Sequence, residues 1–315
     1  MYNIRVCNDL LFLIMILNIY TIQSSNIPYD TIVSFGDSNC DTGNVYNLTN
    51  FKWPPVPPYY QGRFSNGPLW IEKLGISKLI NYAYGSATTD NTLVTGVTAF
   101  NVIVPGVRQQ IEMYKNATNI SMIDFDRTIY IIWVGGNDYF FNIYLRPSAV
   151  INSLMNGIHD LSQIGAKHFL IVNQSPIQAY PSAISFNMNS YMNALTLAHN
   201  HNLSNSIESF QMKYLRISMY LFDVYSLIVN ILNNTSAYGI TNTRNCWNTL
   251  SNINITLCTN PENYIFIDEY HFTTRIHQLI ADNVRQLFFT SKGSIKSFHL
   301  IFFILLFLIS VLYTS

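Results

Sequence analysis

Residues 31–44 read TIVSFGDSNCDTGN. The opening five, Thr31-Ile32-Val33-Ser34-Phe35, make a short apolar run of the β-branched and aromatic kind that suits a buried strand. Gly36 and Asp37 break the run, as turn-forming residues do. Ser38 follows in that turn, just past the end of the predicted strand. In an open α/β sheet this is where the fold presents groups to a ligand. A lone Gly-Asp-Ser is also an ordinary turn or helix cap, so the stretch speaks to the fold before it speaks to a chemistry.

Four more apolar runs resemble the first: 81–84, 128–134, 168–173 and 216–223. Each is continuous rather than alternating, the pattern of parallel strands buried on both faces. Helical spacing fills the intervals. One helix is expected from Asn66-Gly67-Pro68 to Gly75 and another over 105–116. A third follows Pro147 and stops at Gly165, with Val150, Ile151, Leu154, Ile158 and Leu161 on one stripe. A long helix covers 187–212, and a last one, 273–289, carries Ile276, Leu279, Ile280 and Val284. Alternating β and α elements predict an α/β fold of three layers, α/β/α, around a doubly wound, parallel, five-stranded sheet. No repeat or linker interrupts it, so one domain over 25–290 is expected.

The 315 residues carry 17 basic and 17 acidic side chains, with no block of like charge. Nucleic-acid binding needs a basic face, and none is visible. His199 and His201 stand two apart on a helix and cannot share a face. No metal site and no cofactor are expected, and the protein should act as a monomer.

The ends differ from the middle. Leu10–Tyr20 is an apolar run flanked by Arg5 and by Ser24 and Ser25, the layout of a secretory signal peptide over 1–24. Phe298–Tyr313 is apolar and follows the small-residue cluster at Ser291–Ser294. Residues 291–315 fit a GPI-attachment signal, with a C-terminal membrane anchor as the alternative. Either would hold the domain at the cell surface. Cys7 would leave with the signal peptide. In a secreted chain Cys246 and Cys258 are the obvious pair, and Cys40 reads as a small buried residue. The Asn-x-Ser/Thr sites agree with secretion, although Asn173, after a buried run, is the least suited to carry sugar.

Three further blocks follow Ser38 in order: NYAYGSAT (81–88), GGND (135–138) and DEYH (268–271). A serine hydroxyl is a weak nucleophile without an adjacent base. His271 is the histidine whose context suits that task, because Asp268 three residues earlier can orient the ring from the same loop. Together the blocks resemble the GDSL/SGNH hydrolases, and within them the carbohydrate esterase family 16 and thermolabile-haemolysin branch. DTGNVYNLTN (41–50), WPPVPPYYQGRFSNGPLW (53–70), VPGVRQQI (104–111) and DNVRQL (282–287) extend the resemblance over roughly 29–289. It implies Ser38 as nucleophile, with His271 and Asp268 completing a triad. It also implies an oxyanion hole from the Ser38 N–H, a glycine N–H in the second block and the Asn137 side chain. The family's glycine aligns with Ser86, and Gly85 precedes it, so which of the two faces the site stays open. Asn39 stands in place of the usual Leu and Phe272 in place of the usual Pro.

The loop between the first two blocks carries Trp53, Tyr59, Tyr60 and Phe64 on a proline-stiffened frame. These rings either stack on sugar or pack the loop onto the domain. No apolar lid can be picked out of the sequence. The expected activity is therefore a secreted serine esterase that removes short acyl groups, acetyl above all, from carbohydrate. A lipase, phospholipase or acyltransferase with the same triad is the alternative. A catalytically inactive surface binding protein is a third reading, supported by Ser86 and Phe272.

Overall fold

The structure, a computed structural model, describes residues 27–249 and 257–289. The expected signal peptide and C-terminal anchor lie outside the described residues. Residues 29–285 form one compact unit; the second unit, 1–28 with 286–315, is almost wholly outside the description. Among the described residues no helix is long and apolar enough to cross a membrane.

Five parallel strands form the central sheet: β1 (Thr31–Gly36), β2 (Lys78–Asn81), β3 (Thr128–Trp133), β4 (His168–Val172) and β5 (Ser218–Phe222). They run in the order β2-β1-β3-β4-β5, with Thr31 opposite both Lys78 and Thr128. This is the doubly wound order of the flavodoxin type, whose switch point lies between β1 and β3. β1 and β3 are buried nearly throughout, which explains their uninterrupted apolar sequences.

Alternate strand residues feed opposite layers. Val33, Phe35, Tyr130, Ile132, Phe169 and Ile171 pack against three helices. These are α2 (Val107–Ala117), α4 (Pro147–Gln163) and α6 (Asn189–Lys213); the short α1 (Asn44–Leu48) precedes α2, and the short α3 (Gly136–Phe141) precedes α4. α4 inserts the stripe read from the sequence: Val150, Ile151, Leu154, Ile158 and Leu161 are all buried. On the other face Trp133 meets Trp70 edge to face, ring centres 5.9 Å apart. The helix over 274–289 buries Ile276, Ile280, Ala281 and Val284.

The structure corrects two expectations about elements. The second strand is Lys78–Asn81 rather than 81–84. It is an edge strand, where Lys is favoured and a continuous apolar run is not required. After it the Asn81 side chain folds back, accepting the Ala83 N–H and donating to Cys40 O. The helix expected from Asn66 to Gly75 shrinks to one 3-10 turn, Trp70–Lys73. Asn66 instead accepts the Thr274 N–H at 2.9 Å, so it caps the last helix. A further helix and a second, small sheet were also not anticipated. α7 (Val224–Asn233) follows α5 (Pro181–Ser185) and α6, and Asp223 caps it by accepting the Ser226 N–H. A two-stranded sheet pairs β6 (Asn242–Asn245) with β7 (Tyr264–Phe266).

Candidate active site

The site opens at the carboxyl ends of β1 and β3, the switch point of the sheet. Gly36 ends β1 under tight constraint: a Cβ there would sit 2.3 Å from Trp133 O. Its N–H and C=O are both bonded to the Gln110 amide, at 2.9 Å each. Ser38 therefore leaves the sheet from a fixed point. β3 runs on into Gly135–Asp138, and β7 into the loop 268–271.

Those three segments converge. His271 Nε2 lies 3.0 Å from Ser38 Oγ. His271 Nδ1 lies 2.7 Å from Asp268 Oδ2 and 2.9 Å from Oδ1. Asp268 Oδ1 also accepts the Tyr270 and His271 N–H groups, at 2.7 and 2.8 Å. Burial works against the charged Asp268 carboxylate. The electrostatic attraction and hydrogen bond of His271, with the hydrogen bonds from the Tyr59 hydroxyl and the Tyr270 N–H, outweigh it and hold the carboxyl below its usual range. A serine hydroxyl, a ring nitrogen facing it and an ionised carboxylate behind the ring make one hydrogen-bonded line. Such a line can take a proton from Ser38 and return it to a leaving group.

The donors around Ser38 sort themselves by their other bonds. Gly85 N–H is taken by Asp41 Oδ2 at 2.7 Å. Ser86, at φ +66°, lines the cavity, and among the described residues its N–H has no partner. Positive φ is the reason a glycine is favoured at that position. The Ser38 N–H is likewise unpartnered among the described residues. Asn137 lines the cavity and gives one amide hydrogen to Ala87 O at 2.9 Å, leaving a second to point elsewhere. So Ser38, Ser86 and Asn137 gather around one space, and Gly85 is withdrawn from it.

Of the aromatic loop, Trp53 lines the cavity and stands 4.6 Å from Phe64, ring centre to ring centre. Phe64 lies under the His271 ring at 4.9 Å. Tyr59 does not offer a face to a ligand. It is buried, and its hydroxyl donates to Asp268 Oδ2 at 2.5 Å. Tyr60 does not line the cavity either; the Arg63 guanidinium sits 5.8 Å over its ring. The expectation of a substrate platform at Tyr59 and Tyr60 is corrected on both counts. Cys246 and Cys258 are bonded, with Cα atoms 5.1 Å apart. The neighbouring Trp247 meets the Tyr59 ring edge to face at 5.0 Å.

The cavity measures about 450 Å³. Much of its wall is apolar, with Phe140 of α3, Ile177, Ala183 of α5, Phe186, Met188 and Met192 of α6 standing beside the polar Gln174, Ser175 and Ser182. Three buried carboxyls stand nearby. Burial pushes Asp37 and Asp41 up to about 6 and Asp138 to about 7, each partly relieved by N–H groups bonded to it. Asp41 and Asp138 carried no signal in the sequence that separates them from turn residues. Among the described residues no group of three or more His, Cys, Asp and Glu is arranged to hold a metal. Asn173 is buried and donates to Asp223 at 2.8 Å, which leaves its amide poorly placed for glycosylation.

Residues 32–284 match the family model described as GDSL-like Lipase/Acylhydrolase. The phosphatidylcholine-sterol acyltransferase of Aeromonas hydrophila is 28% identical, over 71% of this chain and 68% of its own. A GDSL esterase/lipase of Arabidopsis thaliana is 24% identical, over 81% and 88%. The thermolabile hemolysin of Vibrio parahaemolyticus is 24% identical, over 80% and 62%. Among solved structures, the aryl esterase of M. smegmatis superposes with a TM-score of 0.46 at 15% identity, covering 82% of this chain and 97% of its own. The chain belongs to the GDSL-like lipase/acylhydrolase family of carboxylic ester hydrolases.

Proposed function

We propose that Ser38 is the nucleophile of this hydrolase and that its natural acyl group is a long, apolar chain. Ser38 Oγ attacks the ester carbonyl while His271 Nε2 takes its proton, and Asp268 stabilises the imidazolium that forms. The Ser38 and Ser86 N–H groups and the Asn137 amide meet the negative charge on the carbonyl oxygen. His271 returns the proton to the departing alcohol, leaving Ser38 acylated. Water, deprotonated by His271, then releases the acid and restores the serine.

The cavity carries the acyl reading. Its volume of about 450 Å³ falls within the range of about 300–1,000 Å³ typical of sites that enclose most of a ligand. An acetyl group would fill little of it. The short-acyl expectation rested on the aromatic loop and on finding no apolar lid in the sequence; Phe140, Ile177, Ala183, Phe186, Met188 and Met192 offer a long acyl chain an apolar lining instead. The name of the Aeromonas relative points to the same kind of acyl donor. Deacetylation of carbohydrate, the second reading, keeps Trp53 at the cavity as its support. The inactive-binder reading loses its ground: Phe272 is buried, stacked on Phe266 at 5.4 Å, and Ser86 keeps its N–H.

We also infer that the protein works outside the cell, held at a membrane surface by its C-terminal tail. The Cys246–Cys258 bond suits an oxidising compartment. Hydrolysis of a graded series of p-nitrophenyl esters, from acetate to palmitate, tests the function. Octanoate and longer esters should give the higher kcat/KM, and Ser38→Ala should abolish turnover on all. Acetate as the preferred ester would favour deacetylation.

A further inference from the structure

We infer that Tyr59 is a positioning residue that sets the basicity of the Asp268–His271 pair, and so the pH at which Ser38 becomes active. This rests on the reading of Ser38 and His271 given above. The Tyr59 hydroxyl donates to Asp268 Oδ2, the same oxygen that lies 2.7 Å from His271 Nδ1. Tyr59 and His271 are thus two donors sharing one acceptor atom. Charge that the phenol draws from Oδ2 is charge not available to stabilise an imidazolium.

The position of the phenol is over-determined. Its ring is 7% exposed, wedged edge to face between Trp247 at 5.0 Å and Phe64 at 6.1 Å. Trp247 adjoins the disulfide cysteine Cys246, and both belong with Tyr59 and Ile267 to one buried cluster. Phe64 in turn lies beneath His271. The loop 53–64 therefore reaches the imidazole from below and the carboxylate from behind. Burial and the Asp268 charge both raise the phenol's pKa, so it stays protonated and can only donate.

The titratable groups that face the pair are Asp37, Tyr59, Tyr180, Glu269, Tyr270 and His277. Of these, Tyr59 alone places a side-chain donor on the Asp268 carboxylate among the described residues. Glu269 is occupied elsewhere, accepting from Asn245 and Thr249. Removing the Tyr59 hydroxyl leaves more negative charge on the oxygen next to His271. The imidazolium is then favoured, and the neutral base appears only at higher pH.

The test is the pH profile of kcat/KM for purified Tyr59→Phe, with a p-nitrophenyl ester as substrate. The acidic limb should move up by about half a pH unit. The plateau kcat should fall on the order of tenfold, the scale of one hydrogen bond to a charged group, with KM little changed. Replacing Tyr59 by 3-fluorotyrosine, a stronger donor, should move the limb the other way and keep the fold. A lower kcat with the limb unmoved in both variants would make Tyr59 merely structural and overturn the inference. Ser38→Ala run alongside keeps the two readings separate: wild-type turnover there would overturn the nucleophile assignment, whatever Tyr59 does.

Discussion

The Asp41 carboxylate reaches 44 positions along the chain to accept the Gly85 N–H at 2.7 Å. The same carboxylate accepts the N–H groups of Gly43, Asn44 and Val45. It ties the turn after Ser38 to the turn that presents Ser86. Asp41→Asn would turn an amide NH₂ toward two of these donors. We expect a loss of about 2 kcal/mol or more in unfolding free energy, with kcat reduced more than KM. Ser86→Gly should keep kcat within a few-fold, because the N–H remains and φ +66° is natural for glycine. Denaturant unfolding and steady-state kinetics on both variants check this pair of outcomes; a large loss of kcat in Ser86→Gly would contradict it.

Asn137→Ala should lower kcat by roughly a hundred- to a thousandfold, the usual effect of deleting one oxyanion donor. KM should change little, since the amide meets charge that develops only in the transition state. An effect on KM as large as that on kcat would make Asn137 a binding group.

Ala183 lies in the apolar wall of the cavity and is buried. Ala183→Leu places extra bulk where the far part of an acyl chain would lie. The prediction is a drop in kcat/KM for palmitate and octanoate esters with acetate unaffected. Equal loss on all esters would place the acyl chain elsewhere.

Asp138 links pH to stability. Burial holds its carboxyl up at about 7, against an ordinary value of 3.8. The folded state therefore binds the proton more tightly than the unfolded one. The stability this confers is complete below the ordinary value and is lost as pH rises toward 7. Asp138→Asn cannot titrate and keeps an oxygen for the Thr89 N–H, which Asp138 accepts at 2.9 Å. The variant's Tm should fall less than the wild type's between pH 5 and 8. Parallel Tm curves for the two proteins would contradict the assignment.

The buried centre of the fold was legible because burial on both faces leaves strands such as Tyr130–Trp133 uninterrupted. The edge was not. β2 is half exposed, and its sequence Lys78-Leu-Ile-Asn81 lacks the apolar run that marked its neighbours. The residues that meet at Ser38 Oγ were legible as motifs in the right order. Their supports were not, because partners distant in sequence leave no local pattern. Tyr59 and Asp268 are 209 positions apart, and a tyrosine in an aromatic loop reads the same whether it stacks on a ligand or holds a carboxylate. α7 did leave a signal: Asp223 immediately before the apolar-periodic Val224, Ile228 and Ile231 is a helix-start pattern. The apolar run 216–223 ends on that same Asp223, which blurs the boundary between strand and helix.

The most direct test of the account is covalent capture. The purified protein is treated with a fluorophosphonate bearing a long alkyl chain, digested, and mapped by mass spectrometry. The account predicts one adduct, on the peptide carrying Ser38, formed faster than with a short-chain reagent and absent from Ser38→Ala. Labelling of another serine, or none by a protein that still hydrolyses esters, would contradict it.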